Sequence, residues 1–344
     1  MTPPEGLVRN QDTPMLDPKA SATTTEWHHD TRFLCCRVDP RGTYVVAGGI
    51  DHQIQRWNVA NEARTSLIGH ENWVRSLAFS PDGTTLYSGG YDGRVIAWRI
   101  DEETPTPLST TSAHRGWLRC LAVSSDGLRL ATCGNDKAVR VWSIAETKGA
   151  SPQLMFELQG HSHLPYSVEF APNSHDLVSG DIIGTVHHWC GHEGCLVRTL
   201  DATEIHNLIG DIAPFGGVMS FAFSPDSSLL TVTGLHKTSN APAGNRRGVA
   251  LSFSWPSGEK LYKQESVAKE LDSTMWRGLY HPSGTFVGTL EKEIGFWNPG
   301  EADAFHLVTT PSDIFDCDFH PNRRDLYTAH FDGTVRCHQL AATS

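Results

Sequence analysis

The sequence predicts an all-β fold: a seven-bladed β-propeller with four antiparallel strands per blade and an N-terminal strand closing the last one. Three observations carry that expectation. The stretch 69–100, GHENWVRSLAFSPDGTTLYSGGYDGRVIAWRI, holds three apolar runs separated by the turns Ser80-Pro81-Asp82-Gly83 and Asp92-Gly93. Residues 29–59 and 114–144 repeat it in register. In each copy a His precedes an Asp by 22 residues and a Trp follows that Asp by six: His29/Asp51/Trp57, His70/Asp92/Trp98 and His114/Asp136/Trp142. The positions closing successive units are 57, 98, 142, 189, 253, 297 and 338, at steps of 41 to 47 with one of 64, which makes seven units.

Along the chain, residues 1–18 are rich in Pro and polar side chains and read as a flexible arm. The propeller follows over 19–341, with repeats at about 27–60, 61–101, 107–146, 153–191, 195–255, 259–299 and 305–341. Each repeat has three strand-like runs, and a weaker fourth run precedes each His, as in residues 63–69, 153–160 and 195–200. The fourth unit keeps His161 and Trp189 but has Ile183 where Asp is expected. The fifth carries Phe253 in the Trp position and an insertion, 236–248, between its second and third strands. The sixth has Glu291 and Trp297, and the seventh has Asp332 but His338 in the Trp position. A lone four-stranded sheet cannot bury both faces; radial closure buries them and leaves only short edges.

Composition narrows the function classes. Net charge is −11 and no Lys/Arg run exceeds two residues, which argues against nucleic acid as a partner. No apolar stretch is long enough to span a bilayer, and the N-terminus lacks a secretory apolar core, so no membrane partner is expected. The eight cysteines lie mostly inside apolar runs, as buried thiols do in a reducing compartment, and a cytoplasmic protein is expected.

The Gly-His of GHENW, the SPDG and GGYDG turns and the terminal AWRI resemble the WD40-repeat family over about residues 27–341, with Trp-Arg where that family has Trp-Asp. The resemblance implies a buried tetrad of His, Ser/Thr, Asp and Trp in each blade. Two complete sets match it: His70/Ser88/Asp92/Trp98 and His114/Thr132/Asp136/Trp142. Blade one has Ala47 in the hydroxyl position, blade four lacks the Asp, and blade seven lacks the Trp and the His. Indole N–H is donor only, a hydroxyl relays, and imidazole links hydroxyl to carboxylate, so the set is structural although it mimics a hydrolase triad. The resemblance also implies closure of the last blade by an N-terminal strand, placed here in residues 19–27.

Members of that family generally bind partners on the face where the d–a and b–c loops gather. The corresponding positions here are Arg32, Leu34, Trp73, Arg75, Trp117, Arg119, Leu164, Tyr166, Trp276 and Phe315, with Ile50, Tyr91, Asn135 and Phe331 before the turn Asp positions. Trp, Tyr and Arg are the residue types of interface hot spots, and Arg beside aromatics suits an acidic or carboxylate-bearing peptide. The expected function is a non-enzymatic protein-interaction scaffold, with no cofactor, working within a multiprotein complex. The rival is a propeller hydrolase or lyase in the channel mouth, using Asp316, Asp318 and His residues on the side of the insertion. In register, Arg277 matches Asp316 and Arg37 matches Asp318, so inter-blade ion pairs are expected instead. Cys190, His192 and Cys195 lack a second ligand pair and read as a hairpin turn rather than a metal site.

Overall fold

A computed structural model describes residues 16–144, 150–208, 214–236, 247–265 and 273–342. Among them are seven four-stranded antiparallel sheets arranged as the blades of a ring. Strands a to d of blade 1 are Phe33–Val38, Tyr44–Gly49, Gln53–Asn58 and Arg64–Ile68. Blade 2 follows with Val74–Phe79, Thr85–Gly90, Arg94–Arg99 and Pro107–Ser112. Blade 3 is Leu118–Val123, Arg129–Gly134, Val139–Ser143 and Gln153–Leu158, and blade 4 is Pro165–Phe170, Leu177–Asp181, Thr185–Trp189 and Leu196–Asp201. Blade 5 comprises Ser220–Phe223, Leu229–His236, Arg247–Ser254 and Lys260–Glu265. Blade 6 comprises Arg277–Tyr280, Phe286–Thr289, Glu293–Trp297 and His306–Thr309.

Blade 7 takes three strands from the C-terminal end, Ile314–Phe319, Asp325–His330 and Thr334–Ala342, and its fourth from Leu16–His28. The latter pairs antiparallel with Thr334–Ala342, from His28 opposite Thr334 to Leu16 opposite Ala342. The closing strand thus includes residues 16–18 of the expected arm and continues to His28; residues 1–15 lie outside the described residues. So do residues 237–246 of the blade 5 insertion, whose flanking strands pair as far as His236 opposite Arg247. The long connection into blade 5 contains a short hairpin, His206–Leu208 with Pro214–Gly216.

The core is distributed rather than central. Seven apolar clusters are found among the described residues, each filling the wedge between two neighbouring blades. Between blades 1 and 2, for example, Cys35, Val46 and Ile54 meet Leu77, Leu86, Ile96 and Trp98. Both faces of every blade are thus covered, which is why the strands read as near-continuous apolar runs instead of simple alternation. The cluster between blades 7 and 1 closes the ring: Trp27 stacks on Trp57 at 5.5 Å and on Tyr327 at 5.7 Å.

Candidate partner-binding face

The side chains most like catalytic groups are committed to holding blades together. In blade 2, Trp98 Nε1 donates to Ser88 Oγ (2.9 Å), Ser88 Oγ bonds His70 Nε2 (2.8 Å), and His70 Nδ1 bonds Asp92 Oδ2 (2.9 Å). Blade 3 repeats the chain through Trp142, Thr132, His114 and Asp136 at 2.9, 2.9 and 2.8 Å. Burial pushes the Asp92 carboxyl up, but hydrogen bonds from His70 and from the Glu71 and Arg94 amides outweigh it and hold the carboxyl below its usual range.

Blade 4 corrects the expectation that it lacks the Asp. His161 Nδ1 bonds Asp181 Oδ2 at 3.2 Å, His161 Nε2 bonds Ser179 Oγ at 2.7 Å, and Trp189 Nε1 donates to Ser179 Oγ at 2.8 Å. Asp181 stands two residues before Ile183, at the last position of strand b, where blade 2 has Gly90. Residues two apart on a strand share a face, and a Cβ at Gly90 would lie 2.7 Å from His70 Nδ1. A carboxylate placed there reaches the same ring.

Blade 7 uses that position again. His330 occupies it, and Thr328 Oγ1 lies 2.7 Å from His330 Nε2 and 3.0 Å from His338 Nε2. The absent Trp and His are thus replaced by two imidazoles on one hydroxyl, with His330 Nδ1 donating to the Ser312 carbonyl. The divergent blades 5 and 6 drop the network: Val232 and Gly288 fill the hydroxyl position by register, and Met275 packs against the latter.

The candidate face lies at the opposite end of the strands from the a–b and c–d hairpins. A recurring amide bond fixes it: Tyr91 N to Trp73 O, Asn135 N to Trp117 O, Ile182 N to Leu164 O, Phe331 N to Asp313 O, all 2.9–3.0 Å. In five blades the register of strand a on strand b slips by one residue, and the extra residue is Leu34, Arg75, Arg119, Tyr166 or Phe315. A bulge bends its strand and re-aims the side chain it frees. Arg75, Arg119, Tyr166 and Phe315, with Trp276 and Arg277, line the mouth of the central channel.

Around that mouth the predicted residues form two aromatic groups. Tyr91 stacks on Trp117 at 4.5 Å and on Trp73 at 5.6 Å. Across the channel Phe315 meets Trp276 at 5.4 Å and Phe331 at 6.1 Å, with the Arg32 guanidinium 4.0 Å above the Phe331 ring. Trp73, Trp117 and Phe331 are 41–43% exposed, and among the described residues they are the aromatics that stand out as large exposed apolar side chains. Arg119 is buried among Trp117, Tyr166 and Tyr91, donating through Nε to Asn135 Oδ1 and through Nη1 to the Tyr91 hydroxyl, both at 2.8 Å.

Within the channel the ion pairing differs from the expected one. Arg37 Nη1 reaches Asp316 Oδ2 at 2.7 Å rather than Asp318, and Arg277 Nε lies 3.6 Å from the other Asp316 oxygen. Asp316 is the better partner because it lies between both guanidiniums and also accepts the Cys36 and Cys317 amides. Asp318 accepts only the Val38 and Phe319 amides, and burial pushes its carboxyl up. At the far end of blade 4, Cys190 and Cys195 flank the c–d hairpin through a 2.8 Å amide bond, and no group of His, Cys, Asp or Glu among the described residues has metal-site geometry.

These features define a rigid ring that commits its polar chemistry to its own blades and presents aromatic and guanidinium groups at one mouth. The model of the WD domain, G-beta repeat family matches residues 21–58, 61–99, 105–143 and 305–339. This chain is a WD40-repeat β-propeller. Each match begins in, or up to three residues before, the strand d preceding a blade and ends in that blade's strand c, so every matched repeat spans two blades and staples them. No curated protein matches the chain. Among the described residues no helix is long and apolar enough to cross a membrane.

Proposed function

We propose that this propeller is a non-enzymatic scaffold that binds an acidic protein or peptide segment on the face bearing Trp73, Arg75, Tyr91, Trp117, Arg119, Asn135 and Tyr166 from one side and Arg32, Trp276, Phe315 and Phe331 from the other. WD40 propellers are generally protein-interaction scaffolds. The observation that carries the reading is the continuous Trp73–Tyr91–Trp117 stack, two of whose rings stand about two-fifths exposed. Exposed clustered aromatics beside guanidiniums have the composition of a binding hot spot, and the amide bonds beneath them favour rigid display. The competing acid–base reading is weakened because Asp316 is tied to two arginines and two amides. We assign the protein to the cytoplasm on its eight unpaired thiols, and to a multiprotein complex on the breadth of the face.

The test is affinity capture from native lysate with wild type beside a Trp73→Ala/Trp117→Ala double variant. Neither ring fills the interior, so the variant is expected to melt as wild type does and to lose the proteins wild type retains. A folded variant that captures the same set overturns the assignment of this face.

A further inference from the structure

Four arginines converge in the channel, Arg37, Arg75, Arg119 and Arg277, in a chain whose net charge is −11. Three carboxyls accompany them: Asp316 at the mouth, and Glu169 and Asp318 deeper. Asp316 is saturated by Arg37, Arg277 and two amides. Burial pushes the Glu169 and Asp318 carboxyls up, which enlarges the positive excess. Arg119 is held by Asn135 and Tyr91.

Arg75 is different. It is a bulge residue aimed into the mouth, and it makes no hydrogen bond or ion pair among the described residues. Beside it, the Tyr91 oxygen accepts a hydrogen bond from Arg119 and leaves its own hydroxyl proton uncommitted. The cavity here is about 30 Å³, room for the two oxygens of one small anion. A guanidinium with its fork unfilled, next to a free O–H and flanked by stacked aromatics, is the complement of a carboxylate.

We propose that Arg75, assisted by the Tyr91 hydroxyl, is the anchor that receives a single carboxylate of the bound segment at the channel mouth, while Trp73 and Trp117 cover the residues beside it. The inference rests on the face proposed above and deepens it. The carboxylate comes either from an Asp or Glu side chain or from a chain terminus. A phosphate is the competing oxyanion, and the experiment below separates the two.

The experiment uses the full chain and a library of displayed random dodecapeptides, followed by calorimetry with synthetic copies of the selected sequences. Selections on wild type are expected to fix one Asp, Glu or terminal carboxylate. Changing that group to its amide, or Arg75→Gln in the protein, each weakens binding roughly tenfold to a hundredfold, and the two changes together cost little more than one. Arg75→Gln removes no internal bond, so its unfolding midpoint should match wild type. Amidating the peptide's C-terminus separates the two carboxylate sources. Peptides that depend on Trp73 and Trp117 but not on Arg75 or an acid overturn the anchor and leave the face standing. A phosphoserine copy that binds tighter than the acid, with the same dependence on Arg75, overturns the carboxylate. Peptides indifferent to all three residues, or none selected, overturn both proposals.

Discussion

Ser88 Oγ stands where two buried hydrogen bonds meet, one from the Trp98 indole and one to the His70 ring. Both partners are almost wholly enclosed, so removing the hydroxyl strands a donor and an acceptor at once. Ser88→Ala is expected to destabilise the protein by about 2–4 kcal/mol, read as a lower urea midpoint at unchanged slope. A loss under ~0.5 kcal/mol would mean that the network confers no stability. The tetrads of blades 2 and 3 were legible in sequence because their spacing repeats. Asp181 was not, because counting from His161 looked for a carboxylate in the turn, whereas it comes two residues early on the same strand face. His330 escaped notice for the same reason. The Arg37–Asp316 pair was missed because register alone does not say which of two acids lies between two guanidiniums.

At the scale of the element, the closing strand has the clearest consequence. Trp27 is 7% exposed and lies between Trp57 of blade 1 and Tyr327 of blade 7, at the seam beside the strand that closes blade 7. Trp27→Ala is expected to cost about 3–5 kcal/mol and to open this seam first. Limited proteolysis should then cut within Leu16–His28 before any other strand, whereas simultaneous cutting throughout the ring would contradict the ordering. The strand itself was expected from the family resemblance, which placed it in residues 19–27. That it includes residues 16–18 was obscured by Pro18 and by register slips between Asp17 and Ala22 and between Thr23 and Thr25. The hairpin His206–Leu208 with Pro214–Gly216 has strands of three residues, too short to show a period of two amid Gly and Pro.

For the whole molecule, blade 7 couples ring closure to protonation. Burial, reinforced by the Arg336 charge, pushes the His330 ring down to about 3 and the His338 ring down to about 4, while Asp332 opposes this weakly at His330. His338 Nδ1 also meets Thr23 Oγ1 of the closing strand at 3.3 Å. In the unfolded chain both rings titrate near 6.5. Between that value and about 4 the unfolded state therefore holds more protons, and folding stability must fall as pH falls. Each ring contributes a slope of up to ~1.4 kcal/mol per pH unit once the unfolded ring is charged. His281, pushed down to about 4 chiefly by burial, adds in the same direction. Asp318 and Glu169 oppose it, because burial raises their carboxyls and the folded state there gains protons first. The rings are isolated by difference. In His338→Trp an indole, the group that the better-matched blades carry at this position, replaces one titrating ring and can donate to Thr328. Denaturant midpoints from pH 4.5 to 6.5 should fall more steeply for wild type than for this variant, by close to one linked proton. Equal slopes would mean that the His338 ring titrates normally within the fold, and that acid does not loosen the closing blade.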